Sequence, residues 1–221
     1  MARPRSAIIA LHVAAKSACF TRHDHTRQRL TYPVMPPTAA RGLLEAIVFD
    51  HRFWWKVHRI DVCSPIVFRT ETRQEFNFGP GADSTEILLR EGVLLESPSY
   101  LVFAEPVVKA GVTDKNQLGV LAEARRKIER GQAWGTPYLG MREHMADFRL
   151  ATPDDVPVPV DLDVTLPIRL FDEVPYDPAV GERHESARRA QVGLYNPIFV
   201  PLEVRGGRMP VTGESTTWTL S

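Results

Sequence analysis

The chain has 221 residues, 43% of them hydrophobic and 24% charged, a composition typical of a soluble globular protein with one large domain. Lys and Arg together number 27, as do Asp and Glu, so the net charge neither favours nor excludes nucleic-acid binding. Cys19 and Cys63 stand far apart, which argues against structural zinc, and no segment approaches the roughly 20 apolar residues of a membrane span. We therefore expect reduced thiols, no membrane partner and a cytoplasmic location.

The first part of the chain predicts a strand, a polar loop and a helix. Ile9, Leu11 and Val13 alternate with other residues, as in a half-buried strand. A loop follows over 21–35, and Thr38 can cap the next helix, although the preceding Pro-Pro leaves the helix start open by a turn. The helix is predicted by an apolar stripe with the spacing i, i+3, i+4, i+7, formed by Ala40, Leu43, Leu44 and Ile47.

The middle of the chain predicts more strands and a second helix. A strand, a bend at Pro65 and a second short strand are expected within 54–68, and another strand over 98–108. Residues 115–130 favour a helix that Gly131 ends, since glycine is common just after a helix C-terminus. The expected apolar side of this helix consists of Leu118, Leu121 and Ile128.

The order of these elements predicts an α+β fold. A β-α-β…β-α-β order suits a ferredoxin-like domain, here residues 1–150, with two helices on one face of the sheet. RNA-recognition modules have the same topology. Residues 151–221 form a small C-terminal β-sheet extension, with strands near 164–171 and 197–204 and a hairpin turn at 205–208.

A group of arginines in the first loop predicts a phosphate site. Arg22, Arg27 and Arg29 precede the first helix, whose N-terminus carries free N–H groups and a partial positive charge. The guanidinium fork matches phosphate geometry. Solvated surface charge is the alternative explanation.

Three further features each have two readings. The histidines of residues 23–25 (HDH) lack a third and fourth ligand, so rather than a metal site we expect solvated loop residues or backbone contacts to RNA phosphates. Arg125 and Arg126 exceed what a helix C-terminus needs, so they bind RNA or a neighbouring subunit, or simply complement the helix dipole. Of Trp54 and Trp55, which face opposite sides of a strand, one is core and the other is a rim residue or a stacking surface. No catalytic Ser-His-Asp group, phosphate-binding Gly loop or dinucleotide fingerprint is present.

Four strings of the sequence resemble the CRISPR-associated Cas5 family, in its type I-C branch within the RAMP superfamily. They span nearly the whole chain: CFTRHDHTRQRLTYPVMPPTAARGLLEAIVF, RIDVCSPIVF, RRKIERGQAWGTPYLGMREHMADF and NPIFVPLEVRGGRMPV. The first and third are the most specific.

The resemblance implies a role in CRISPR antiviral defence. It implies a Cascade subunit that binds the 5′ handle of the CRISPR RNA, caps the backbone subunits, contacts the large subunit, and meets target DNA within the complex. It implies no cofactor. The RNA contacts carried over from matching blocks are Arg22, Arg27, Arg29, Arg41 and Arg142. We add Arg69 and Arg73 from the basic stretch after the second strand, and Arg125 and Arg126 from the second helix.

The resemblance also implies an endoribonuclease family, whose members cut precursor CRISPR RNA without metal. Processing members carry a tyrosine late in the first helix and a Lys-His pair just before the second. These positions correspond to Val48, Gly119 and Val120, which can neither transfer protons nor offset charge. Gly135 stands where a histidine is often seen.

Three hypotheses follow. The chain holds the RNA handle without cutting it; or it is an active nuclease with relocated groups drawn from Tyr32, His51, Lys115 and His144; or it is a ferredoxin-like assembly module outside CRISPR. Copurified guide RNA would exclude the third. Whether residues 70–86 are ordered before RNA binds is left open.

Overall fold

The computed structural model describes residues 8–22, 28–76, 87–108, 116–152, 154–171 and 199–211, and no statement below extends to the others. The described part is a mixed α/β structure with antiparallel sheets and few helices. In chain order its elements are β1 (Ile9–Ala15), β2 (Ser17–Ala18), α1 (Pro37–Ile47), β3 (Phe53–Val62), β4 (Phe68–Phe76), β5 (Ile87–Glu96), β6 (Ser99–Val108), α2 (Gln117–Glu129), β7 (Ala146–Leu150), β8 (Val164–Phe171), β9 (Phe199–Val204) and β10 (Arg208–Pro210).

The strands form three sheets. The main sheet has the order β10-β3-β6-β1-β7, the second has the order β2-β5-β4, and β8 pairs with β9. Every strand pair among them is antiparallel. Within the described residues, neither helix has the length and apolar character that crossing a membrane requires.

The first strand and first helix follow the predicted patterns. The alternating side chains of β1 that were expected to face the core are at most 1% exposed, and all four stripe residues of α1 are buried. The start of α1 corrects the expectation for Thr38. The helix begins at Pro37 with Pro36 at the N-cap position and has no side-chain cap, because proline already has the φ of a first helical residue.

The second helix differs from its prediction at one residue. Leu118 is 57% exposed, whereas Leu121 and Ile128 are buried together with Val120 and Ala124. At ~100° of rotation per residue, Leu118 stands roughly 100° away from the middle of this buried arc. The helix end is as predicted.

Gly131 has a φ of +62° and its N–H donates to the Ile128 carbonyl at 2.9 Å. That left-handed conformation is the one that favours glycine after a helix. At the other end, the Asn116 side chain accepts a hydrogen bond from the Gly119 N–H at 2.7 Å.

The sheets contain strands that the sequence did not predict. The short strand expected after Pro65 is β4, which begins at Phe68 and continues to Phe76. Its continuation beyond Phe68 was missed because the middle of the strand, RTETRQ, is polar rather than β-branched or aromatic. The strands β2, β5 and β7 were also not predicted.

The C-terminal strands near 164–171 and 197–204 are present as β8 and β9. The predicted hairpin turn after β9 is also present, with Gly206 and Gly207 at φ values of +52° and +72°. It leads into β10, which pairs with β3 at the edge of the main sheet.

Candidate functional site

Arginines from three parts of the chain meet at the second sheet. We call Arg29, Arg69, Arg73 and Arg90 the arginine cluster. Arg29 comes from the first loop, Arg69 and Arg73 from β4, and Arg90 from β5. A shallow depression between them is lined by Arg29, Arg73, Arg90, Glu71, Glu91, Gly92 and Leu94.

The register of β4 and β5 places three of these arginines on one face of the sheet. Arg73 lies opposite Arg90, and Arg69 lies opposite Leu94. Because side chains alternate along a strand, Glu71 shares the face of Arg69 and Arg73. Its carboxylate accepts a hydrogen bond from the Arg73 Nε and lies 3.4 Å from the Arg69 Nη2.

Backbone contacts fix Arg29 beside β5. The Val93 N–H donates to the Arg29 carbonyl at 2.8 Å, and the Thr31 N–H donates to the Val93 carbonyl at 3.1 Å. Gly92 permits this approach, since a Cβ there would lie 3.2 Å from the Arg29 carbonyl oxygen. The loop therefore runs along the sheet as a short added edge.

Glu143 joins two of the arginines. Its Oε1 accepts a hydrogen bond from the Arg29 Nη1 at 2.6 Å and another from the Arg73 Nη1. Burial alone would raise the pKa of Glu143, but its hydrogen bonds and the positive charges of Arg73 and Arg29 outweigh burial, so its pKa is lowered. The carboxylate is thus ionised at neutral pH and holds both guanidinium groups towards one point.

The turn that carries Glu143 is anchored to β2 and the residues after it. The Cys19 N–H donates to the Leu139 carbonyl at 3.2 Å, and the Ser17 hydroxyl lies 2.7 Å from the His144 Nδ1. At Gly140, with φ of +84°, a Cβ would lie 2.0 Å from the Cys19 carbonyl oxygen. Only glycine allows this close approach.

The structure brings together some of the predicted RNA contacts. Arg29, Arg69 and Arg73 belong to the cluster, and Arg142 is exposed beside Glu143. Arg22 lies close to the same loop, since its N–H donates to the Leu30 carbonyl at 2.8 Å. Arg27 lies outside the described residues.

Other predicted contacts lie on the helices. Arg41 is within 3.4 Å of Glu45 on α1. Arg125 and Arg126 are exposed on α2, and the Arg125 Nη2 donates to the Ile8 carbonyl at 3.3 Å, next to the start of β1. These side chains make no described contact with the arginine cluster.

The expected phosphate site at the N-terminus of α1 is not formed. Residues 34–37 are all buried, and Pro37, the first helical residue, has no N–H. The chain that leads into the helix is therefore buried, and the Arg29 guanidinium contacts Glu143 rather than this helix end.

The two adjacent tryptophans divide as expected. Trp55 is fully buried, lies edge-to-face against Phe53, and donates its Nε1–H to the Val48 carbonyl at 3.2 Å. Trp54 is partly buried.

The positions that the resemblance aligns with catalytic groups have structural surroundings here. Val48 is 3% exposed at the C-cap of α1, Val120 is 2% exposed, and Gly119 lies in the first turn of α2. Valine and glycine side chains have no titratable group.

The alternative proton-transfer candidates differ in accessibility. Tyr32 and His144 are each 4% exposed, whereas the side chain of His51 is 83% exposed. Burial is the main reason that the pKa of His144 is lowered, so its ring is neutral at pH 7. Lys115 lies outside the described residues, as do residues 23–25. Within the described part no three His, Cys, Asp or Glu side chains are grouped as a metal site.

Sequence reasoning missed several members of the site. Arg90 lies on β5, which was not predicted, and Glu71 and Glu143 were not considered because they are acidic. Also missed was an exposed aromatic pair, Phe49 and Trp134, whose ring centroids are 5.0 Å apart. The sequence signal for the aromatic pair was the tryptophan in the string QAWG, which lies outside any predicted strand or helix.

Comparisons with known proteins identify the family. The family model described as CRISPR-associated protein (Cas_Cas5) matches residues 8–183. The chain is 33% identical over 215 residues to a protein of Thermus thermophilus named CRISPR pre-crRNA endoribonuclease Cas5d, covering 93% of this chain and 92% of that protein. It is 31% identical over 176 residues to a protein of the same name from Mannheimia succiniciproducens, covering 69% and 76% of the two chains.

A solved structure described as a CRISPR-associated protein has the same fold. It superposes with a TM-score of 0.64 at 17% sequence identity, covering 94% of this chain and 93% of that one. Together with the matches in sequence, this shows that the chain belongs to the CRISPR-associated Cas5 family.

Proposed function

We propose that the chain is the Cascade subunit that binds the 5′ handle of the CRISPR RNA and caps the backbone of the complex. The observation that carries this proposal is the convergence of Arg29 and Arg73 on a single carboxylate oxygen of Glu143. Two guanidinium groups aimed at one oxygen match the geometry needed to hold a phosphate. Family membership supports the same role.

Ion pairs hold the side chains of the arginine cluster in place, and the cluster keeps a net positive charge. The four arginines and the two carboxylates that contact them, those of Glu71 and Glu143, give a local charge of +2. The carboxylates hold the guanidinium groups in place before RNA arrives, which reduces the ordering cost of binding. A phosphate then exchanges with Glu143, and the arginines keep a charged partner throughout.

The remaining arginines extend this surface in the proposal. Arg22, Arg27 and Arg142 flank the cluster along the chain, whereas Arg41, Arg125 and Arg126 contact more distant parts of the RNA or a neighbouring subunit. Each contributes a backbone contact rather than base recognition.

The opposite face of β4 and β5 supports a role in assembly. Phe68, Ile87 and Leu89 are 52%, 54% and 70% exposed. Exposed apolar side chains on one face of a sheet favour contact with another protein. We assign this face to the Cascade backbone subunits; contacts to the large subunit and to target DNA are further expectations of the type I-C assignment. Such a complex works in the cytoplasm.

We also propose a ferredoxin-like classification for the first domain. The strand order β3-β6-β1-β7, with α1 after β1 and α2 after β6, supports it. In this division residues 1–150 form the domain, and residues 151–221 extend it, a role favoured by the pairing of β10 with β3.

The test of the handle-binding role is a titration with labelled repeat RNA at several salt concentrations. For single-stranded RNA, each phosphate that is no longer neutralised reduces the slope of log K against log salt by ~0.7. Because Arg29 and Arg73 converge on one phosphate position, Arg29→Ala with Arg73→Ala should reduce the slope by about 0.7. A control that also removes two positive charges, Arg149→Ala with Arg205→Ala, should leave the slope unchanged. An unchanged slope in the cluster variant would refute the role of these arginines.

The second candidate function is metal-independent processing of precursor CRISPR RNA, which the names of the two relatives favour. The reaction needs a base that reaches the ribose 2′-OH. Among the candidates in the described residues, only His51 is exposed, three positions after Val48. Cleavage in EDTA that His51→Ala abolishes would establish this function; cleavage unchanged by that substitution would remove His51 from consideration.

A further inference from the structure

Two aromatic side chains form an exposed pair at the C-terminal end of α1. Phe49 is 49% exposed and Trp134 is 72% exposed. Their ring centroids are 5.0 Å apart and the ring planes are tilted by 32°. We call these two residues the aromatic pair. Two large adjacent rings that are exposed to this degree indicate a binding surface, whereas a single exposed leucine does not.

The backbone holds the aromatic pair in place without a ligand. The Trp134 N–H donates to the Ile47 carbonyl at 3.1 Å, and the Gly135 N–H donates to the Ala46 carbonyl at 2.8 Å. These carbonyls belong to the last turn of α1, so the chain leaving α2 closes the end of the first helix. Phe49 follows directly after that helix, and both rings therefore stand on fixed backbone.

Basic side chains flank the pair on both chain segments. His51, two residues after Phe49, has an 83% exposed side chain, and Arg130, four residues before Trp134, is exposed. A four-residue separation spans at most about 14 Å. Arg52 adds no free charge, since it pairs with Asp50 at 2.7 Å. An exposed aromatic face with an arginine and a hydrogen-bonding imidazole nearby along the chain is typical of surfaces that bind single-stranded nucleic acid.

The size of the pair also distinguishes RNA from a protein partner. At these exposures the two rings offer on the order of 300 Å² of accessible surface. A stable protein interface needs roughly 800 Å² from each partner. A nucleobase, in contrast, is covered by one indole face.

We propose that the aromatic pair is a stacking site for an unpaired base of the CRISPR RNA, with the base on Trp134, Phe49 supporting the indole, and His51 and Arg130 beside the flanking phosphates. This inference rests on the RNA-binding role proposed above, and it adds a contact to a base, which the arginine cluster does not provide. Stacking is tolerant of sequence because every base has a π-face.

The test is a binding titration with labelled repeat RNA, using Trp134→Ala and Trp134→Phe. Trp134→Ala removes the stacking of one base, so it should bind the RNA about ten-fold more weakly than the original chain. Trp134→Phe keeps an aromatic ring, so its dissociation constant should stay within about three-fold of that of the original chain. Leu118→Ala is the matched control, because Leu118 is a 57% exposed apolar residue on α2 and should have no effect. Melting curves check that every variant is folded.

A second readout identifies the base. Repeat RNA with a single abasic position, moved along the unpaired nucleotides, should show one position whose loss weakens the original chain but not Trp134→Ala. RNA should also quench tryptophan fluorescence less in Trp134→Phe than in the original chain.

The outcomes separate this inference from the handle-binding role. RNA binding that depends on Arg29 and Arg73 but is unaffected by Trp134→Ala would overturn the stacking site alone. A Trp134→Ala variant that binds RNA normally and fails to associate with Cascade subunits would replace it by a protein contact. Absence of RNA binding by the unaltered chain would overturn both.

Discussion

Replacing Glu143 by glutamine should tighten RNA binding. The glutamine keeps the size of the side chain and a neutral oxygen for hydrogen bonding, but it removes the negative charge that Arg29 and Arg73 share. If a phosphate takes the place of this carboxylate, RNA binding to the original chain breaks two ion pairs, whereas binding to the variant breaks only neutral hydrogen bonds. The prediction is unusual in direction, because most substitutions in a binding surface weaken binding.

The expected size follows from the geometry. Glu143 is 35% exposed and its arginine partners are 34% and 29% exposed, so both ion pairs are screened by water. A pair of this kind contributes about 0.2–1 kcal/mol. Two pairs give about 1 kcal/mol, which corresponds to roughly five-fold tighter RNA binding. The same substitution should lower the free energy of unfolding by about 1 kcal/mol or less.

Fluorescence anisotropy with labelled repeat RNA measures the change. The control is Glu203→Gln, which also removes one negative charge from an exposed carboxylate beside an arginine, Arg205, at 3.6 Å. It corrects for the change in net charge. Binding by Glu143→Gln that is equal to or weaker than that of the control would refute the exchange of Glu143 for a phosphate.

The pH dependence of stability is a second readout of the same interaction. The pKa of Glu143 is lowered in the folded chain, so its ion pairs are fully present above the ordinary carboxyl pKa. They are lost as the pH falls through the folded value. The stability difference between the original chain and Glu143→Gln should therefore be largest near neutral pH and vanish in acid, as measured by urea unfolding at each pH.

Three further predictions concern the fold. Gly207→Ala should destabilise by ~2 kcal/mol more than Gly206→Ala in urea unfolding, since both glycines have positive φ but a Cβ at Gly207 alone would lie 2.2 Å from the Val160 carbonyl oxygen; equal losses would contradict this. Asn116→Ala should cost about 1 kcal/mol through loss of its helix cap, and no loss would mean that the cap contributes nothing. Burial is the main reason that the pKa of Cys63 rises to about 12, so Cys63 should react with a thiol reagent at pH 8 much more slowly in the folded Cys19→Ala variant than in the urea-unfolded variant; equal rates would refute its burial.

The parts of the fold that the sequence predicted depend on local patterns. The stripe of α1 and the alternation of β1 repeat within a few residues, and Gly131 ends α2 through its own backbone conformation. β5 was missed because Arg90, Glu91 and Gly92 interrupt its apolar residues and hide the alternation. Its identity depends on pairing with β4, which the sequence of β5 alone does not reveal.

The candidate site was only partly predictable for the same reason. The resemblance to the Cas5 family selected Arg29, and the basic stretch after the second strand selected Arg69 and Arg73. Glu143, however, lies 114 positions from Arg29 and 70 from Arg73. No local pattern connects residues at such separations. The expected phosphate site at the start of α1 failed because burial of residues 34–37 depends on tertiary packing.

The most direct test of the account is incubation of the purified chain with labelled repeat RNA in EDTA, with binding and cleavage scored on the same sample. We expect salt-sensitive binding that weakens when Arg29 and Arg73 are both replaced by alanine, with the RNA left intact. Failure to bind would contradict the central claim. A single cut at the base of the repeat hairpin would contradict the expectation that Val48, Gly119 and Val120 leave the chain without catalytic groups.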